Sequence, residues 1–148
     1  MARVLITGMS GTGKSTLLQA LGERGHLVVD TDYNGWTRPD GLWNVRRMAR
    51  LLLRESRVVV SGTVENQVDF YDQFEHVVLL TAPLPVLLDR LASRTNNPFG
   101  RTAEQRAVVE RYVITVEPLL RRSATTELDG TASLIDLVAA VETLILAS

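Results

Sequence analysis

The chain of 148 residues has no cysteine and a single lysine. Without cysteine there is no disulfide framework and no thiolate metal site. A net charge of −1 removes the electrostatic reason to expect a nucleic-acid or membrane-surface partner. No apolar run approaches the length of a membrane span, and no signal peptide precedes the first predicted strand. The expected location is therefore the cytoplasm. Internal repeats and low-complexity segments are also lacking. The two histidines, His26 and His76, fall at strand starts and read as structural. What is left is ordinary: 45% hydrophobic and 22% charged residues describe a globular chain, and residues 1–148 form one domain with room for a core.

The lone lysine carries the most information. Fifteen basic residues are arginine, and Lys14 stands in Gly8-Met9-Ser10-Gly11-Thr12-Gly13-Lys14-Ser15. That is a complete G-x-x-x-x-G-K-[ST] phosphate-binding loop. Lysine is retained only where a compact, flexible point charge must follow a phosphate. Its surroundings agree. Val4-Leu5-Ile6 reads as a buried parallel strand. Ser15 to Arg24 reads as a helix, with Leu17, Leu18 and Leu21 on one side and Gly25 as its stop. Strand, glycine loop and helix aim backbone N–H groups and a helix N-terminus at phosphate oxygens. Lys14 would reach the β- and γ-phosphates of ATP, and the Ser15 hydroxyl would hold Mg²⁺.

Further strands are expected at 27–30, 57–61, 77–80 and 125–128. Helices are expected at about 40–55, 65–74, 83–94, 102–116 and from 134 onward. Val45, Met48 and Leu52 would share one helix face, and Val109, Tyr112, Val113 and Val116 another. Pro118 would kink or restart the second. Five strands alternating with helices give an α/β fold: a five-stranded parallel sheet with helices on both faces. Such sheets bind ligands beyond the carboxyl ends of their strands.

The residues at those ends are suggestive. The second strand runs into Asp30-Thr31-Asp32, two carboxylates two apart on an extended chain. One could serve Mg²⁺ while the other takes a proton from an acceptor hydroxyl; the plainer reading is a solvated Asp30 and a turn-capping Asp32. The third strand ends in Ser61-Gly62-Thr63 with no carboxylate, which moves the metal-linked role to Asp30. Gly62 allows close approach of a ligand, or marks a plain turn. Arg94 and Arg101 bracket a polar loop with Pro98 and Gly100. This loop, about 94–101, is expected to be a lid whose guanidinium groups close on phosphates. Arg46 and Arg47 read equally as an anion site and as a solvated face. Tyr33, Trp36 and Trp43 read equally as a platform for an acceptor ring and as a hydrophobic plug.

With these residues in view, the chain resembles the nucleoside-monophosphate-kinase-like group of phosphate-loop proteins over nearly its whole length. Gly8 to Thr16, Asp30-Thr31-Asp32, Val45-Arg46-Arg47 and Glu117-Pro118-Leu119-Leu120 resemble shikimate kinases. Val58 through Leu91 resembles short adenylate-kinase-like ATPases. The resemblance implies that Ser10, Gly11, Thr12, Gly13, Lys14, Ser15 and Thr16 hold nucleotide, and that Asp30 lies in the magnesium shell. It implies that Asp32 faces the acceptor, with Arg46 on the acceptor and Gly62 beneath it. It assigns Arg90, Arg94 and Arg101 to nucleotide and lid, and sets the Asp129-Gly130-Thr131 loop near adenine. The acceptor region, about 31–56, is shorter than in shikimate kinases. Val116 stands where they carry an acceptor-binding arginine.

The sequence therefore predicts an ATP- and Mg²⁺-dependent kinase of a small polar acceptor, acting as a monomer or homodimer. The acceptor favoured is a nucleoside or nucleotide, with Asn66 and Gln67 reading a base edge. Two alternatives stand beside it: a shikimate-kinase-like metabolite kinase, and a nucleotide-binding switch or slow ATPase with a macromolecular partner.

Overall fold

The apolar runs of the sequence become the strands β1 (Arg3–Thr7), β2 (Val28–Asp30), β3 (Val58–Ser61), β4 (His76–Thr81) and β5 (Thr126–Asp129) in a computed structural model that describes residues 2–93 and 103–147. All neighbours pair in parallel, in the order β2-β3-β1-β4-β5. β1 is thus central, and the loop that follows it leaves the middle of the carboxyl edge.

Burial explains the unbroken hydrophobicity of the inner strands. Successive side chains point to opposite faces, and both faces are covered. Val4, Ile6, Val59, Val78 and Leu80 pack with α1 (Lys14–Glu23) and α6 (Leu134–Ala147). Leu5, Val58, Val60 and Val77 pack under Met48, Leu51 and Leu52 of α2 (Val45–Arg54), with Phe70 and Phe74. A third cluster joins Met9, Leu79, Leu87 and Leu120, and so seats the start of the glycine loop on α3 (Leu84–Ala92) and α5 (Glu117–Ser123).

Several boundaries move for local reasons. The helix expected at 40–55 starts at Val45. Residues 36–44 form a tight hairpin instead, with Thr37 bridged to Trp43 and Asn44 N donating to Trp36 O at 2.8 Å. Pro39 and Gly41 disfavour helix there, and Asn44 supplies the cap, its side chain accepting from Arg47 N at 3.1 Å. Val45 is 49% exposed and does not share the buried face; Leu51 takes that place. The 65–74 helix is a 3-10 helix, Glu65–Gln73. Pro118 does restart the chain, separating α4 (Ala103–Thr115) from α5. Tyr112, expected in register with buried valines, is half exposed.

His26 lies at the opposite end from the carboxyl edge. Its Nε2 and the Arg24 Nε both sit 2.8 Å from Glu142 Oε2, which ties the end of α1 to α6. The Arg24 and His26 hydrogen bonds hold the Glu142 carboxyl below its ordinary range. A depressed folded pKa contributes stability above the unfolded value, lost as pH falls through the folded one. Glu142→Gln is therefore expected to lower Tm at neutral pH and to approach the wild-type curve as pH falls below the ordinary glutamate range. Thermal scans across that range check it; an equal Tm at neutral pH would show that the contact contributes nothing.

Candidate functional site

The glycine loop has the backbone its sequence requires. Gly8, Gly11 and Gly13 adopt φ of 153°, 90° and 100°, in the half of conformational space that side chains avoid. A Cβ on Gly8 would also collide with Leu80 O. Thr12 closes the turn, its Oγ1 donating to Met9 O at 2.9 Å. Lys14 opens α1 and folds back over the loop: its Nζ donates to Gly8 O at 2.5 Å and Met9 O at 3.2 Å. An ammonium resting on loop carbonyls is poised to exchange them for phosphate oxygens. Ser10, Ser15 and Thr16 are exposed around it.

Beside Lys14, Ser15 Oγ donates to Asp30 Oδ2 at 3.1 Å. The other oxygen of Asp30 accepts from Asp32 N at 3.1 Å. Asp30 is thus fixed at both oxygens and bound to the hydroxyl that a phosphate-loop protein gives to Mg²⁺, while Asp32 sits exposed two residues on. This pair of hard oxygen donors fits Mg²⁺, which keeps water and phosphate ligands and asks the protein for one or two groups.

On the other side of the loop, Arg90 donates to Gly11 O at 3.0 Å and to Gly130 O at 2.9 Å. Two residues far apart in sequence are so brought against the glycine loop. They bound a cleft of about 350 Å³ lined by Gly11, Thr12, Gly13, Thr16, Arg90 and Gly130. Gly130 is there because nothing larger fits. A Cβ would lie 2.5 Å from Thr12 O and 2.8 Å from Thr81 O. Gly130→Ala is expected to displace the loop, weakening ATP binding about tenfold or more while Tm falls by only about 2–8 °C. Calorimetry and thermal melts separate the two effects; unchanged affinity would mean the β5–α6 turn is remote from the ligand.

The acceptor side differs from its expected form. Trp43 is fully buried, 5.9 Å from Phe70 between ring centroids, and belongs to the core. It is a plug and not a platform. Gly62 lies against it: a Cβ would come within 3.3 Å of the indole and would strike Thr31 Oγ1. Asn66 clasps the Trp43 backbone, accepting from its N at 2.9 Å and donating to its O at 3.1 Å. Gln67 is 1% exposed, with Oε1 accepting from Val64 N and Nε2 donating to Thr7 Oγ1 and Tyr71 OH. Gln67 has both N–H groups engaged inside the core, and Asn66 is turned onto the Trp43 backbone, so neither is set out as a reader of a base edge. Trp36 is half-buried, with the Arg47 guanidinium 4.0 Å over its ring. Arg47 also donates to Asn34 O and so braces the turn after Asp32. Arg46 is exposed on the first turn of α2. Arg94 and Arg101 lie outside the described residues.

One participant escaped the sequence reading. Thr63, which follows β3 in Ser61-Gly62-Thr63, hydrogen-bonds both the N–H and the carbonyl of Gly8. Its signal was only a hydroxyl after a strand-ending glycine.

A family model described as an AAA domain matches residues 4–112. The chain belongs to that AAA-domain family. The match runs from β1 into α4 and so contains the glycine loop, the Asp30–Asp32 pair and Arg90. No curated protein matches the chain. Solved structures share its fold at low identity. Shikimate kinase from Acinetobacter baumannii, in complex with shikimate, is 20% identical with a TM-score of 0.70, over 99% of this chain and 94% of that one. Shikimate kinase from Bacteroides thetaiotaomicron is 18% identical with a TM-score of 0.71, over 96% and 97%. A sugar kinase from Janibacter sp. is 18% identical with a TM-score of 0.62, over 98% and 94%. The AAA-domain chain therefore has a shikimate-kinase-like phosphate-loop fold, a five-stranded parallel sheet in a single domain. Among its described residues no helix is long and apolar enough to cross a membrane.

Proposed function

We propose that this chain is an ATP- and Mg²⁺-dependent phosphotransferase whose acceptor is a small polar molecule bearing a hydroxyl group. The observation that carries the proposal is the bond from Ser15 Oγ to Asp30 Oδ2 at 3.1 Å, beside Lys14 and two residues from Asp32. A nucleotide-binding module needs the loop and the metal-linked serine. A second carboxylate two residues on suits transfer to a hydroxyl, which it can orient and whose proton it can accept.

Bound Mg²⁺ would neutralise charge on the β- and γ-phosphates. Lys14 leaves Gly8 O to bind the same oxygens. Ser15 and Asp30 hold the metal's side of the site, Asp32 accepts the proton of the attacking hydroxyl, and Arg90 with Gly130 seats the nucleotide's other end. Arg94 and Arg101 are proposed to close over the phosphates. Such catalysis is positioning and charge stabilisation, with little covalent work for the protein.

The acceptor proposed is compact and hydroxyl-rich. A nucleoside or nucleotide was the acceptor favoured by the sequence, but Trp43, Asn66 and Gln67 are all occupied within the fold. Exposed Tyr33 and half-buried Trp36 are the remaining support for a base ring. Val116 offers no charge to a carboxylate such as that of shikimate. Measuring ADP release with ATP alone, then with sugars, polyols, shikimate, nucleosides and monophosphates, tests the reading. Acceptor-dependent release supports it. The same slow release throughout would favour the nucleotide switch.

A further inference from the structure

Gly8 is held by more than the geometry of its loop. Thr63 Oγ1 accepts from Gly8 N at 3.1 Å and donates to Gly8 O at 2.8 Å. It also lies 3.0 Å from Thr7 Oγ1. Gln67 Nε2 donates to that Thr7 oxygen at 3.1 Å and to Tyr71 OH at 2.9 Å. Thr7 and Gln67 are buried.

One set of proton directions satisfies every one of these contacts. Val64 N can only donate, so the Gln67 atom 3.0 Å from it is the carbonyl oxygen and the other end is the amide nitrogen. Thr7 Oγ1 accepts from Gln67 and gives its own proton to Thr63. Thr63 has one proton, and Gly8 O receives it. The relay runs Gln67 to Thr7 to Thr63 to Gly8 O, with Gly8 N–H closing back onto Thr63.

Gly8 O is also where Lys14 Nζ rests, at 2.5 Å. In the resting loop this carbonyl has both lone pairs filled, one by Lys14 and one by Thr63. When Lys14 moves to phosphate, a buried carbonyl loses one partner. With Thr63 in place it keeps the other.

We propose that Thr63 is a positioning residue for triphosphate binding: it retains the Gly8 carbonyl, through the Gln67–Thr7 relay, so that Lys14 is free to leave it. The inference rests on the phosphate-loop reading of the site. Its effect scales with how far a ligand draws Lys14 away. Nucleotides with a β-phosphate draw it; a monophosphate does not.

The experiment is calorimetric titration of ATP, ADP and AMP into the full chain with Mg²⁺. Thr63→Val keeps the shape and removes the hydroxyl. It is expected to weaken ATP and ADP about tenfold and to leave AMP unchanged. Thr63→Ser is expected to restore wild-type affinity. In a Lys14→Ala background, Thr63→Val should cost nothing further, because no ammonium leaves Gly8 O. If the valine variant melts too low to titrate, Thr63→Ala replaces it in the same comparison. Equal losses for all three nucleotides, additive losses with Lys14→Ala, or no loss at all would overturn the inference. Absence of ATP binding by the wild-type chain would instead overturn the phosphate-loop reading beneath it.

Discussion

Lys14→Ala should cut phosphoryl transfer by about two to three orders of magnitude while leaving the fold intact. The side chain is half-exposed at the start of α1 and donates to the Gly8 and Met9 carbonyls. It contributes no apolar surface to any of the three core clusters. Removal should therefore move Tm by no more than a few degrees. The loss of a charge aimed at the transferred phosphate is a different matter. A single donor of this kind is worth about 10²–10³ in kcat. Lys14→Arg should fail to rescue, since a planar guanidinium cannot take the place of a compact ammonium between β- and γ-oxygens. Because the chain has no other lysine, no neighbouring ammonium can substitute. Steady-state turnover and thermal melts on both variants decide the matter, and near-normal turnover in Lys14→Ala would remove the ground for the kinase reading.

The glycine loop was legible in the sequence because it is local: eight consecutive residues specify it, and its glycines take the backbone angles such a loop requires. The Ser15–Asp30 bond follows from a related regularity: a strand end in a parallel sheet is a fixed address, and β2 carries a carboxylate at its end where β3, lying between it and β1, carries none. Arg90 and Gly130 came from resemblance, since nothing local announces that Arg90 will bond Gly11 O and Gly130 O.

The acceptor side was poorly legible because its residue types serve core and ligand equally well. Trp43, Asn66 and Gln67 have the aromatic and amide chemistry of a base-binding site. Tertiary packing uses all of it: Trp43 fills the space above Gly62, Asn66 clasps its backbone, and Gln67 feeds the Thr7 hydroxyl. Burial, which one-dimensional spacing does not give, decides between the two uses. The helix boundary at Val45 failed for a simpler reason. Periodicity alone extends a helix back through residue 40, whereas the Thr37–Trp43 bridge requires a turn there.

Asp30 and Asp32 should part company when each is changed to asparagine. Asp30 is bound at both oxygens, to Ser15 Oγ and to Asp32 N. Asparagine keeps one acceptor oxygen and loses the charge. The expected result is a higher Mg²⁺ requirement with the maximal rate largely recovered at saturating metal. Asp32 is exposed and is proposed to face the acceptor, so Asp32→Asn should leave ATP and Mg²⁺ affinity near wild type. Without a proton acceptor, single-turnover transfer should fall by about 10²–10⁴, the range of general-base catalysis. Metal titrations and single-turnover rates on the two variants test the division of labour. A raised metal requirement in Asp32→Asn with none in Asp30→Asn would reverse the assignment, and wild-type behaviour in both would make the pair structural.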